Sequence, residues 1–184
     1  MNNQNKTLKN IIFISLFAAI IAVCSWISIP TTVPFTLQTF AVAAAVCMLG
    51  TKRSTASVLV YILLGAVGVP VFAGFKGGIG ALMGMTGGYI IGFILMTIIS
   101  GILIHNFGRK FYAMLLSLIV GLVACYAFGT AWFIYVYTTT KGSIGIISAL
   151  SMCVFPYIIP DIVKFIVAIL ISNRLYKFTA ENKE

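Results

Sequence analysis

Asp161 is the one carboxylate in the apolar body of this 184-residue chain, because the other two acids, Glu181 and Glu184, stand in its last four residues. An ionisable group at membrane depth is unfavourable by roughly 2.5–3.5 kcal/mol on insertion scales, and as a rule it faces a cavity, a partner or a ligand. Lys164 follows three residues later, a spacing that puts both side chains on one face of a helix. Such a pair can orient a polar solute, the carboxylate accepting N–H groups and the ammonium donating them. It can equally be an ion pair that serves only the fold. Pro160, directly before Asp161, reads as a helix start, and the first turn of a helix is a favourable place for an anion.

A second group lies between Val69 and Tyr89, where VPVFAGFKGGIGALMGMTGGY holds seven glycines around Lys76. That density prevents a regular helix and lets backbone amides approach a solute closely. The segment reads either as a loop closing over an anionic or polar solute or as a plain linker with Lys76 solvated. It contains no GxxxxGK[ST] and follows no parallel strand, so no nucleotide site is supported and ATP hydrolysis by this chain is excluded. The single histidine, His105, and Asp161 are expected at opposite ends of the bundle, which leaves no Ser/His/Asp or Cys/His grouping for catalysis. Cys24, Cys47, Cys125 and Cys153 stand singly in apolar stretches without metal-ligand spacing, so they read as small buried hydrophobes and no metal site or cofactor is expected.

The elements that must position these residues are membrane helices. With 61% hydrophobic residues and 8% charged, against about 25% charged in a soluble domain, and a mean hydropathy of +1.11, the chain cannot cover itself in water. At roughly 20 apolar residues per span, it predicts an all-α polytopic membrane protein. The expected architecture is a single domain over 1–184, a bundle of about six transmembrane helices near 9–29, 35–50, 54–70, 86–106, 111–137 and 158–176, with an external Gly-rich loop. Pro30 and Pro34 break the first long apolar run. Gly65, Gly68 and Pro70 make the third helix stop early or kink, and Pro156 and Pro160 leave 142–157 open between a re-entrant segment and the start of the last helix. The run from Ile11 to Ile29 is read as a first helix rather than a signal peptide. The tails 1–4 and 180–184 are expected to be disordered.

Cytoplasmic termini put nine basic residues (Lys6, Lys9, Lys52, Arg53, Arg109, Lys110, Arg174, Lys177, Lys183) inside and two (Lys76, Lys141) outside, as the positive-inside rule requires of a cell-membrane protein. The net charge of +9 therefore reads as topology in a lipid bilayer, and no nucleic-acid partner is inferred. On the first helix Ala18, Ala19 and Ala22 form a small-residue patch suited to close helix approach, either internal or to a partner. Trp132, Tyr135 and Tyr137 either wall a pocket or belong to the interfacial aromatic belt.

The segments TVPFTLQTFAV (32–42), LLGAVGVPVFAG (63–74), TGGYIIGF (86–93), FGTAWF (128–133) and FPYIIPDIVK (155–164), in this order along nearly the whole chain, resemble the BioY family of biotin-specific substrate-binding subunits of energy-coupling factor (ECF) transporters. The resemblance implies a non-catalytic six-helix subunit that binds biotin near the outer surface. Its energy would come from a transmembrane scaffold subunit and two ATP-binding subunits. It also implies that Ala18, Ala19 and Ala22 face the scaffold. The substrate-binding set becomes Asp161, Lys164, Lys76 and Trp132 with Tyr89, Gln38 and Phe35, the last three falling within the quoted segments. Alternatives are a subunit of the same architecture for another vitamin, or an autonomous secondary transporter, which the single membrane acid and lack of repeated halves disfavour. The charge asymmetry predicts that a cysteine introduced at position 76 is labelled by a membrane-impermeant thiol reagent in intact cells. Labelling only after permeabilisation would reverse the orientation.

Overall fold

A kink at Gly50 organises the bundle. The computed structural model describes residues 3–31 and 33–181, in the order α1 (Asn3–Trp26), β1 (Ser28–Ile29), β2 (Phe35–Thr36), α2 (Gln38–Ala66), α3 (Ile79–Met83), α4 (Gly87–Phe107), α5 (Phe111–Lys141), α6 (Ile146–Cys153) and α7 (Phe155–Glu181). Within α2, Gly50 has φ 74 and ψ 179, outside the helical region. On an unbroken helix Gln38 and Tyr61, 23 residues apart, would be about 35 Å apart. Instead the Gln38 amide donates to the Tyr61 hydroxyl at 2.6 Å. The helix therefore folds back at Gly50, and 38–49 and 51–66 run antiparallel as two arms. With these arms counted separately, α1, α4, α5 and α7 complete a six-helix membrane bundle. By length and composition five helical stretches among the described residues can cross a bilayer, the folded α2 being one of them.

Small residues let the helices approach. Along α4 and α5, a Cβ added at Gly88 would stand 2.3 Å from Trp132, one at Gly92 2.9 Å from Cys125, one at Gly121 2.0 Å from Ser100 and one at Gly129 2.3 Å from Tyr89. Gly88 and Gly92 on one helix, and Gly121, Cys125 and Gly129 on the other, repeat every four residues, the spacing of close membrane-helix packing. Ala18 and Ala22 serve the same purpose inside the molecule, buried at 2% and 6% exposure in the core with Ala41, Ala44 and Ala45 of α2. Both pack within this chain's own bundle, and Ala19 alone of the three is exposed.

At the Gly50 end, the Arg109 guanidinium donates to the Cys47 carbonyl at 2.7 Å and to the Ser172 hydroxyl at 3.4 Å. It thereby satisfies a carbonyl at the end of the first α2 arm, where no intrahelical partner remains. At the other end, Ser28 pairs with Thr36 and Ile29 with Phe35, so the Pro-rich turn expected after the first helix is a small β-hairpin. The stretch after Gly142 holds a separate short helix, α6, ended at Val154 (φ −126, ψ −59).

Two boundaries differ from expectation. α7 begins at Phe155 with Pro160 inside it, so Asp161 lies on the second turn rather than the first. Proline is tolerated there because its missing N–H would have met the carbonyl of Pro156, at the helix's own start. The tails expected to be disordered lie mostly outside the described residues, and 3–4 and 180–181 continue α1 and α7 as helix.

Gly50 has no heavy atom within 4 Å of an added Cβ, so its requirement for glycine is purely conformational. Gly50→Ala should lower stability by about 1–3 kcal/mol, the penalty of a side chain in that backbone region. Gly145→Ala, at φ −71 with its nearest neighbour 3.8 Å away, should leave the melting temperature unchanged. Equal melting of wild type and Gly50→Ala would show that the hairpin does not depend on this conformation.

Candidate functional site

Asp161 and Lys164 occupy one face of α7, as their spacing demands, and both are buried, at 2% and 8% exposure. The Asp161 carboxylate is held from three helices. Its Oδ1 accepts the Thr39 hydroxyl at 2.8 Å and the Lys164 ammonium at 2.8 Å, and its Oδ2 accepts the Tyr126 hydroxyl at 2.5 Å. The ammonium also donates to the Thr36 carbonyl at 2.7 Å and to Thr39 Oγ1 at 3.2 Å, and it sits 4.0 Å from the centre of the Phe35 ring. An ammonium has three N–H donors and an ionised carboxylate about four acceptor positions. Lys164 is therefore saturated by the protein. Asp161 retains one acceptor position, on Oδ2.

Both line a cavity of about 690 Å³, within the range of pockets that hold small molecules. Gln38, Tyr89, Asp161, Lys164 and Lys76 all line it. Gln38 accepts the Thr36 hydroxyl at 3.0 Å and donates one N–H to Tyr61, which leaves its second N–H for a ligand. Tyr89 turns its hydroxyl to Thr130 at 2.9 Å and offers the cavity its ring. Phe35 stands beneath the Lys164 ammonium and stacks on Tyr157, with ring centres 6.1 Å apart. Phe35 and Trp132 are absent from the lining; the Trp132 indole N–H donates to the Gly84 carbonyl at 3.0 Å, so it anchors the glycine-rich segment.

Lys76, exposed, lines the cavity from the turn that the glycine-rich segment forms. The backbones of Phe72 and Lys76 exchange hydrogen bonds, and Phe75 between them has φ 57. This segment is tied down at several points. Ser25 donates to the Val71 carbonyl at 2.5 Å, Trp26 to the Pro70 carbonyl at 2.9 Å, and the Trp26 and Phe75 rings stack at 5.2 Å. Phe72 is buried against Gly65, where an added Cβ would lie 1.9 Å from its ring. The segment is a fixed wall of the cavity, not a plain linker. Thr39, Thr36, Tyr126 and Tyr157, which sequence reasoning passed over, complete the polar floor and the wall beside it.

The arrangement suits an elongated solute. One end would donate an N–H to a buried carboxylate, the middle would rest on aromatic and apolar surface, and an anionic end would meet the ammonium of Lys76.

A biotin transporter of Thermotoga maritima is 42% identical over 176 residues, spanning 95% of this chain and 99% of that protein. A probable biotin transporter of Pyrococcus horikoshii is 41% identical over 168 residues, spanning 91% and 96%. The crystal structure of the S-component for biotin from an ECF-type ABC transporter superposes with a TM-score of 0.85 at 25% identity, covering 96% of this chain and 95% of that one. The model of the BioY family matches residues 1–181, and the chain belongs to that family.

Proposed function

We propose that this chain is the biotin-binding membrane subunit of an ECF-type uptake transporter, itself non-catalytic. The observation that carries the reading is the buried Asp161 carboxylate with one acceptor position left, at the floor of a cavity large enough for a vitamin. Biotin matches it group by group. A ureido N–H reaches Oδ2 of Asp161, the ureido carbonyl accepts the spare N–H of Gln38, the thiophane ring and chain lie on the Tyr89, Phe93 and Tyr157 surface, and the carboxylate meets Lys76. Lys164 has no free donor, so its role is to orient Asp161 and balance its charge. The homologues named as biotin transporters support the same choice of ligand.

In this reading the termini are cytoplasmic and the cavity faces outside, in keeping with the nine-to-two basic asymmetry. Transport energy comes from a scaffold subunit and two ATP-binding subunits. The scaffold meets the exposed face of α1, where Ala19 lies with Ile12, Leu16 and Val23, a small residue among larger ones that admits another helix closely. Ala19→Trp should abolish co-purification with the scaffold while biotin binding persists. Full recovery of the complex would move the docking face off α1.

Asp161→Asn removes a charge-assisted contact and should weaken biotin at least roughly tenfold, the equivalent of about 1.4 kcal/mol. Calorimetry on the purified chain, with riboflavin and thiamine as competitors, measures this. Unchanged affinity in folded Asp161→Asn would remove the residue from the site. Lys164→Met strands a buried carboxylate and should lower stability by about 3 kcal/mol. Adding Asp161→Asn to it should restore much of the melting temperature without restoring affinity. A double variant as unstable as Lys164→Met would show that the lysine matters for something other than its partner.

A further inference from the structure

At the Gly50 end of the bundle, a second cavity of about 530 Å³ opens between the start of the 51–66 arm and the last turn of α4. It is lined by Leu49, Thr51, Lys52, Arg53, Ile102 and His105. Lys52, Arg53 and His105 are all exposed. The one ion pair among the described residues joins Lys164 to Asp161, so this cleft presents two uncompensated cations and an imidazole. Asp161 is bonded to Thr39 near the opposite end of the first α2 arm, so no body carboxylate lies near them. None of these residues takes part in the biotin site.

We propose that this cleft binds the phosphate of an anionic phospholipid from the surrounding bilayer. Two features choose a lipid over a protein or a free anion. The first is position, since basic pockets between membrane helices at their polar ends are suited to anionic headgroups. The second is continuity with apolar surface running into the membrane. On α4, Leu95, Ile98 and Ile102 are exposed at spacings of three and four residues, and His105 follows three residues on, ending the same stripe. On the facing arm, Lys52 heads the exposed positions Leu59 and Leu63, seven and eleven residues further along. One molecule with an anionic head and two acyl chains satisfies both parts. The phosphate sits among Lys52, Arg53 and His105, with Arg53 able to offer two parallel N–H donors. The chains lie along the Leu95–Ile102 and Leu59–Leu63 stripes. A free phosphate would use the head of the site and leave both stripes irrelevant.

Native mass spectrometry of the full chain tests this, counting retained phosphatidylglycerol against phosphatidylcholine and titrating inorganic phosphate as a separate probe. Wild type should retain phosphatidylglycerol preferentially. K52A/R53A should reduce that preference roughly 25-fold, the equivalent of about 1 kcal/mol for each cation removed. Intact biotin binding in the same preparation reports that the variant is folded, and the charge-preserving K52R/R53K should keep the lipid. Equal retention of the two lipids by wild type, or unchanged phosphatidylglycerol on K52A/R53A, overturns the proposal. Displacement of the lipid by millimolar inorganic phosphate would make this a free-anion site. Loss of scaffold co-purification with lipid retention unchanged would make it a protein contact instead.

Discussion

A carboxylate buried within a membrane bundle must be compensated by its own protein, and Asp161 shows how far that requirement reaches. Its three bonds come from Thr39 on α2, Tyr126 on α5 and Lys164 on α7, so the charge fixes the mutual position of three helices. Lys164, itself buried, draws in a fourth group, the Thr36 carbonyl of β2, and the Phe35 ring below it. Removing either charge would leave the other unpaired in a medium of low dielectric, which is far less favourable than removing both. The pair is thus structural in its energetics, and the site proposed for biotin uses what it leaves open. Three donors hold the carboxylate, which also lines the cavity, and one acceptor position on Oδ2 remains.

The rest of the fold makes that cavity possible by shortening distances between helices. The Gly50 reversal returns α2 alongside itself, so Gln38 at the start of one arm reaches Tyr61 near the end of the other. Glycines at the α4 and α5 interface bring Tyr89 and Tyr126 to the same pocket wall. The glycine-rich segment owes its shape to anchors at its edges, with Trp132 and Trp26 each giving an indole N–H to one of its carbonyls. Lys76 is consequently carried on a braced turn although its side chain is exposed.

What was legible in the sequence was whatever stood out against an apolar background. Asp161 and Lys164 were unmistakable because charges are rare here, while Lys52 and Arg53, read as punctuation between two helices, lie inside the second arm just past the break at Gly50. Uncharged partners were harder to see. Thr39 lies inside a segment already quoted for its resemblance, and Tyr126 is a tyrosine in the middle of a span, away from the interfaces where the aromatic belt would put it; that displacement was the available signal. Periodicity also left direction undetermined. Ala18 and Ala22 have the spacing for close approach, but spacing cannot say which helix approaches; within the chain they share a core with alanines of α2. Trp132 likewise gives its indole N–H to the Gly84 carbonyl, a partner that periodicity does not reveal. The hairpin of 28–29 with 35–36 was too short to leave a strand pattern.

In the proposed binding mode biotin meets Asp161 directly while Lys164 serves only the carboxylate. A structure of the chain with biotin bound tests this most directly. The expected result is a ureido nitrogen about 2.7–2.9 Å from Oδ2 of Asp161, the biotin carboxylate beside Lys76, and Lys164 still bonded to Asp161, Thr36 and Thr39. Biotin bound in the reverse sense, with its carboxylate on Lys164, or bound outside this cavity, would contradict it.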